Sequence, residues 1–283
     1  MKSVNNEKGK LAMPLVSVIM SVYNTKNYEE LFNSVNSILA QTFKDFEFII
    51  CDDGSTFPET KKYLKKLEEL DSRIRIIGYD NNRGLAYSRN ECLKYCNGKY
   101  IALQDDDDIS EPQRLQKEID FLKKNPGFSF VGTNANIIDH SGIIGKYEVP
   151  QIPTKIDFLW NSPFINPTVM FKKSVLKTIN GYNTSKMVNR VEDYELFFRL
   201  YANGYEGYNI QKNLFNYRIE IEKEKRRKYR SIKDRFHEAY VRARGYKELH
   251  LFFRGIPFVI KPILISMIPS GLFYRIRKNE FKR

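Results

Sequence analysis

The sequence predicts an α/β protein: a doubly wound, mostly parallel sheet followed by a C-terminal basic helical appendage. Three observations lead there. β-rich runs alternate with amphipathic helical patterns through the first part of the chain. Two of those runs, Phe46 to Cys51 and Tyr100 to Leu103, empty directly into aspartates. Nearly all of the +13 net charge lies past residue 221, where 18 Lys and Arg face 6 Asp and Glu.

Leu15 to Val22 is an unbroken β-rich run, the pattern of a strand covered on both faces. After Tyr23-Asn24, the spacing of Leu31, Val35, Ile38 and Leu39 predicts a helix with one apolar stripe. Phe46 to Cys51 reads as a second strand, running into Asp52-Asp53-Gly54-Ser55. A polar helix over Pro58 to Leu70 and a third strand over Ile74 to Gly78 follow. Asn82-Arg83-Gly84 opens a helix through Cys96, and Asn97-Gly98-Lys99 turns the chain into the strand Tyr100 to Leu103.

That strand leads into Asp105, Asp106, Asp107 and Asp108. Ser110 is then expected to cap a helix beginning near Glu111-Pro112, with Leu115, Ile119 and Leu122 on its inner face. The carboxyl ends of parallel strands share one edge, so both aspartate clusters belong to one crevice. Crowded carboxylates repel, and hard oxygen donors of this kind suit Mg2+ or Mn2+. A plainer reading is a solvated acidic loop in which Asp108 or Ser110 caps the helix. No Gly-x-Gly-x-x-Gly or Walker lysine loop follows the first strand. Pyrophosphate charge would have to be met by a metal and by side chains such as Arg89.

Further on, Phe128 to Gly132 and Thr168 to Phe171 read as short strands, and Ile137 to Ile144 as a hairpin turning at His140 to Gly142. Glu192 to Leu200 reads as a helix in which Asp193 shares a face with Leu196, Phe197 and Leu200. Glu192, Glu195 and Arg199 fall on the other face, with Glu195 and Arg199 placed to pair one turn apart. An inward carboxylate is either paired or facing a cavity. Asp193 also suits the positive end of the helix dipole.

From Lys223 a long basic helix is expected, its apolar stripe being Tyr229, Ile232, Phe236, Ala239, Ala243 and Tyr246. Gly255 to Phe273 is almost wholly apolar but is broken by Lys261 and three prolines, which makes a poor spanning helix and a good interfacial one. Arg275, Arg277, Lys278, Lys282 and Arg283 flank it, as suits an anionic membrane surface. The alternative is an ordinary helical appendage packed on the body. The chain thus divides into a flexible stretch 1–13, a body 14–221 and a tail 222–283. Residues 1–13 lack the apolar core of a signal peptide. Cys51, Cys92 and Cys96 form no disulfide framework, which points to a reducing compartment, and the scattered His140, His237 and His250 suggest no zinc site. Basic charge without a nucleic-acid-reading motif argues against a nucleic-acid partner.

Several short elements recur in a fixed order: Val18-Ile-Met-Ser-Val-Tyr-Asn24, Gln41-Thr-Phe43, Asp52-Asp-Gly-Ser-Thr56, Asn82-Arg-Gly84 with Arg89-Asn90, Asp105-Asp-Asp107, Glu192-Asp193 and Tyr217-Arg218. With these, the chain from about Leu15 to Arg218 resembles the family 2 glycosyltransferases of the GT-A fold, which build bacterial capsule, lipopolysaccharide and exopolysaccharide. The resemblance implies transfer of a sugar from a nucleotide-diphospho-sugar, with UDP the favoured nucleotide, to a hydroxyl of a glycan or lipid-linked acceptor. It implies inversion at the anomeric centre, Mn2+ or Mg2+ as cofactor, and work at the cytoplasmic face of the cell membrane. Tyr23 matches the position that stacks on the nucleobase and Asp53 the one that hydrogen-bonds it, with Ser21 and Asp52 in the same pocket. Asp107 matches the metal ligand, Asp105 and Asp106 lie near ribose and phosphate, and Asp193 matches the general base. Ile165-Asn166-Pro167 departs from the many relatives that carry His there. Two other classes are a non-catalytic nucleotide-sugar-binding or scaffold protein, disfavoured by the presence of Asp107 and Asp193, and a nucleotidyltransferase, which leaves Glu192-Asp193 unexplained.

Overall fold

The structure is a computed structural model that describes residues 13–219 and 231–266. The expectations for residues 1–12, for Lys223 to Arg230 including Tyr229, and for the cations from Arg275 to Arg283 lie outside the described residues.

β1 (Val16–Val22) places Val16, Val18, Met20 and Val22 in one core layer and Ile19 in the other, so both faces of the strand are covered. α1 (Tyr28–Leu39) begins at Asn27, whose side chain accepts from the Glu30 N–H at 3.3 Å. β2 (Phe46–Asp52), α2 (Pro58–Glu68), β3 (Ile74–Gly78), α3 (Leu85–Tyr95) and β4 (Tyr100–Leu103) complete the alternation. These four strands are parallel in the order β3-β2-β1-β4. Register fixes where the chemistry goes: Val22 lies opposite Asp52, and Ile19 opposite Leu103. The residues just past β1, β2 and β4 therefore emerge at one edge, where the strand order reverses between β1 and β4.

Beyond β4 the sheet becomes mixed. The chain adds β5 (Ile109–Ser110), α4 (Arg114–Lys124), β6 (Phe130–Asp139), its hairpin partner β7 (Gly142–Tyr147), β8 (Met170–Lys172), α5 (Lys173–Thr178), α6 (Glu192–Ala202) and β9 (Gly207–Arg218). β8 runs antiparallel to both β4 and β6, while β9 lies parallel to β6. One expectation fails here. Ser110 pairs with Phe215 of β9 as part of β5, and Gln113 sits at the start of α4. Neither Ser110 nor Asp108 is that helix's cap, because the long β9 edge captures the backbone before it can turn into helix.

α6 is enclosed on two sides. Phe197 packs among Phe130, Phe164 and Phe171, while Tyr194 and Phe198 pack toward Phe158 and Tyr246. Glu192 and Glu195, expected on an outer face, are buried, Glu195 against the Asn183 amide and Arg199, and Asp193 is half-buried. The Glu195–Arg199 pair forms as expected at 2.9 Å, and Arg199 also donates to the Ile179 and Gly181 carbonyls at 2.7 and 2.8 Å.

The second wall around α6 is α7 (Ile232–Glu248), followed by α8 (Phe252–Ser266). α7 turns His237, Val241, Arg242 and Gly245 inward together with Ala239 and Tyr246 of the expected stripe, whereas Ile232 and Phe236 of that stripe are exposed. Gly245 permits this packing: a Cβ there would lie 2.3 Å from the Phe198 ring, so only glycine lets the helices approach. No helix among the described residues is long and apolar enough to cross a membrane.

Candidate active site

Three loops and one helix end meet at the carboxyl edge of β1, β2 and β4. Just past β1, Asn24 adopts φ +47° and its Oδ1 accepts from the N–H groups of Thr56 and Phe57 at 2.8 and 3.1 Å. The Asn24 N–H donates to Ser55 Oγ at 2.9 Å, stitching the exit of β1 to the turn after β2. Asp52 closes that turn by accepting from the Ser55 N–H at 2.8 Å. Gly54 holds φ +67°, and a Cβ there would lie 2.3 Å from the Asn81 backbone. Asp53 is buried and held by four donors: the N–H groups of Arg83 (2.9 Å) and Gly84 (3.0 Å), the Asn82 amide (2.8 Å) and the Tyr79 hydroxyl (2.5 Å).

With Ser21, Tyr23, Asn82, Gly84, Leu85 and Asp106, Asp53 lines a cleft of about 330 Å³. Ser21 donates to Ser88 at 2.7 Å, and Tyr23, 47% exposed, presents a ring on which a planar base can stack. A second hollow of about 290 Å³, lined by Lys99, Lys172, Lys173 and Lys177, lies at the amino end of β4 and takes no part in this edge.

The aspartate loop is held from beneath by Gln104. Its amide nitrogen donates to the Asp105 carbonyl (3.2 Å), the Asp108 carbonyl (2.9 Å) and Ser34 Oγ (3.0 Å). Its amide oxygen accepts from Ser110 Oγ (2.7 Å) and from Arg114 Nη1 (3.3 Å). Arg114, fully buried, also donates to the Leu103 carbonyl at 2.8 Å and pairs with buried Glu118 at 3.1 Å. From the other side, the Arg218 N–H donates to Asp108 Oδ1 at 2.7 Å and its Nε to the Asp107 carbonyl at 2.8 Å. The sequence reading missed Gln104, Arg114 and Glu118. Their signal was an amide immediately after a strand, and an Arg and Glu one turn apart on the inner face of α4.

Burial, then the charges of Asp107 and Asp105, push Asp106 up to about 8. Burial followed by the charge of Asp107 raises Asp108 well above the carboxylate range. Asp108 Oδ2 is buried without a partner among the described residues. No three carboxyl, imidazole or thiol groups among the described residues converge into a ready-made metal cage. Hydrated Mg2+-like ions, however, are commonly held by one or two carboxylates together with substrate phosphates. Exposed Asp107, backed by the unpartnered Asp108 oxygen, fits such a site.

Arg89 ties the two halves of the site together. It is buried, and its Nη2 donates to Asp105 Oδ1 at 2.8 Å. The Asn166 amide, oriented by its hydrogen-bonding needs with oxygen toward the guanidinium, accepts from Arg89 Nη1 at 2.7 Å. The Tyr182 ring lies 5.4 Å from the same guanidinium. Burial opposes the charge on Arg89, and the carboxylates of Asp105, Glu192 and Asp193 outweigh it and keep the guanidinium ionised. Asp193 stands in the first turn of α6, its Oδ1 accepting from the Tyr194 N–H at 2.8 Å. Burial, then neighbouring Asp193, raises the Glu192 carboxyl. The structure therefore gathers Ser21, Tyr23, Asp53 and Asp106 in the cleft, sets Asp105, Arg89 and Asp193 beside it, and leaves Asp52 in the turn.

A parallel β3-β2-β1-β4 sheet with an aspartate loop after β4, extended by a mixed half that brings a helix-borne carboxylate to the same edge, defines the GT-A fold of nucleotide-sugar transferases. The chain belongs to glycosyl transferase family 2, whose sequence model matches residues 17–180, and it is a glycosyltransferase. It is similar to EpsE of Bacillus subtilis, with 34% identity over 267 residues covering 94% of each chain. It is also similar to the UDP-Glc:alpha-D-GlcNAc-diphosphoundecaprenol beta-1,3-glucosyltransferase WfgD of Escherichia coli, with 34% identity over 186 residues, 66% of this chain and 69% of the relative. Among solved structures, S. aureus TarS 1–349 in complex with UDP-GlcNAc superposes with a TM-score of 0.66 at 17% identity, over 87% of this chain and 72% of that one. The mannosyltransferase PcManGT from Pyrobaculum calidifontis, in complex with GDP-Man and Mn2+, gives a TM-score of 0.62 at 16% identity, over 95% of this chain and 84% of that one. Both structures share the fold.

Proposed function

We propose that this glycosyltransferase moves a sugar from a UDP-sugar, with inversion, to a hydroxyl of a glycan or lipid-linked acceptor in surface-polysaccharide synthesis. The observation that carries the reading is that Asp105, which pairs with the buried cation Arg89, adjoins Asp106 of the Tyr23–Asp53 cleft, with Asp193 in the electrostatic range of the same cation. Tyr23 stacks on the base, Asp53 is oriented by its four donors to meet the base edge, and Ser21 completes that pocket. Asp105 and Asp106 face ribose and phosphate. Asp193 takes the proton of the acceptor hydroxyl while its oxygen attacks the anomeric carbon, and the bond to the diphosphate breaks on the opposite side. Arg89, fixed by Asp105 and Asn166, holds positive charge beside the departing diphosphate. Mn2+ or Mg2+, held by Asp107 and diphosphate oxygens, would supply Lewis-acid neutralisation of the leaving group. The names of WfgD and of the TarS and PcManGT complexes support the donor class, the acceptor class and the metal. The enzyme works at the cytoplasmic side, peripheral on an anionic membrane surface, in keeping with its basic, apolar C-terminal part.

The test is a donor panel with purified protein, scoring release of nucleoside diphosphate with and without Mn2+. UDP-sugars should turn over and the metal should raise UDP affinity, and Asp107→Ala should abolish that increment. Equal, metal-independent UDP binding by parent and Asp107→Ala in calorimetry would overturn the metal assignment.

A further inference from the structure

α8 is apolar on two sides. Gly255 and Pro262 face inward and are buried, with Gly255 against the Tyr246 ring. On the opposite side Phe253, Ile256, Ile260 and Leu264, spaced three and four apart, form an exposed stripe, with Phe253 85% exposed. Lys261 flanks that stripe and Phe258 lies on the packed side, and both meet Trp160, which belongs to the body rather than to the tail. The Lys261 ammonium lies 3.3 Å from the Trp160 ring centroid and donates to the Trp160 carbonyl at 3.3 Å. Trp160 is nevertheless 62% exposed.

The charge along α8 has one sign: Phe252–Ser266 carries Arg254 and Lys261 and no Asp or Glu. In the sequence no Asp or Glu falls between Glu248 and Glu280, a span that also holds Arg275, Arg277 and Lys278. A second copy of the chain would set one cationic face against another. An apolar stripe bordered by cations and an amphipathic indole complements an anionic lipid surface instead.

Resting on the membrane reading above, we infer that the exposed face of α8 together with Trp160 is the surface that inserts into anionic lipid. The face is fixed relative to the chemistry. Arg242 of α7 donates to the carbonyls of Leu159 and Trp160, each at 3.2 Å, and its guanidinium lies 5.2 Å from the ring of Tyr194, the neighbour of Asp193. Lipid engaged at Trp160 therefore holds α6 at a set height above the bilayer, where a lipid-linked acceptor can present its hydroxyl.

Trp160 is the sole tryptophan of the chain, so the unaltered full-length protein carries its own probe. Its emission should shift to the blue with phosphatidylglycerol-containing vesicles and be quenched by brominated acyl chains, with little change on phosphatidylcholine alone. Phe253→Ser with Ile260→Ser, both exposed in the fold, should lower vesicle partitioning by roughly tenfold or more through lost apolar burial, with UDP binding and soluble-donor turnover unchanged. Flotation with a water-like Trp160 spectrum would overturn the assigned face while sparing the membrane reading. Absence of flotation overturns both, and a vesicle-free, concentration-dependent burial of Trp160 assigns the face to self-association and overturns the lipid proposal. In each case, donor turnover reports separately on the enzymatic reading.

Discussion

Asp193 sits in the first turn of α6, where its Oδ1 accepts from the adjacent Tyr194 N–H at 2.8 Å. Asp193→Asn keeps that acceptor and the shape of the side chain but cannot take up a proton. UDP binding should persist by calorimetry, while sugar transfer falls by roughly a hundredfold or more. Transfer at the parental rate would show that the proton goes elsewhere. Glu118 gives a second test at this scale. Burial, only partly offset by Arg114, raises its carboxyl from 4.5 to about 7. The folded state thus binds this proton more tightly than the unfolded chain does. Its contribution to stability is full below 4.5 and is lost as pH rises through about 7. Denaturant unfolding across that window should show a shallower decline for Glu118→Gln than for the parent. An unchanged slope assigns the titration to other groups.

Among the elements, α7 depends on one missing side chain. Gly245 faces Phe198, and a Cβ would come within 2.3 Å of the ring, which is itself enclosed by Phe158, Tyr194 and Tyr246. A ring packed on all sides cannot swing away cheaply. Gly245→Ala should therefore destabilise the protein by about 1–3 kcal/mol despite the better helix propensity of alanine. Chemical denaturation measures this, and a variant as stable as the parent would mean that the α6–α7 contact yields without strain.

For the molecule as a whole, the part beyond β9 has two distinct duties. α7 covers the apolar layer that contains Phe158, Tyr194 and Phe198, whereas α8 exposes an apolar stripe. A chain ended after Leu251 should fold and bind UDP yet fail to float with anionic vesicles. A chain ended after Ile219 should melt at a lower temperature, because each uncovered large apolar side chain forfeits roughly 1.5–3 kcal/mol of burial. Scanning calorimetry and flotation on both chains check this. Equal melting temperatures would show that α7 is an appendage in the energetic sense.

The sequence by itself determined the local pieces: the strands β1 to β4, the helices between them, the β6–β7 hairpin and the aspartates at two strand ends. Those follow from periodicity and turn residues, which are properties of neighbours along the chain. The ordered motifs also carried the family. Only the tertiary structure decided matters that depend on distant partners. It placed Ser110 in a strand because β9 offered an open edge, and it buried Glu195 because segment 179–183 folds over that side of α6 and brings the Asn183 amide against it, with Glu192 turned toward Arg89. It kept Ala239 and Tyr246 of α7's expected stripe inside but left Ile232 and Phe236 exposed, with Gly245 set against Phe198 instead. It also revealed Arg89 bound to Asp105 and Asn166, and Gln104 bound to Arg114, as the supports of the aspartate loop. Positions that far apart in the chain converge only when the sheet closes, so periodicity along one segment cannot record them.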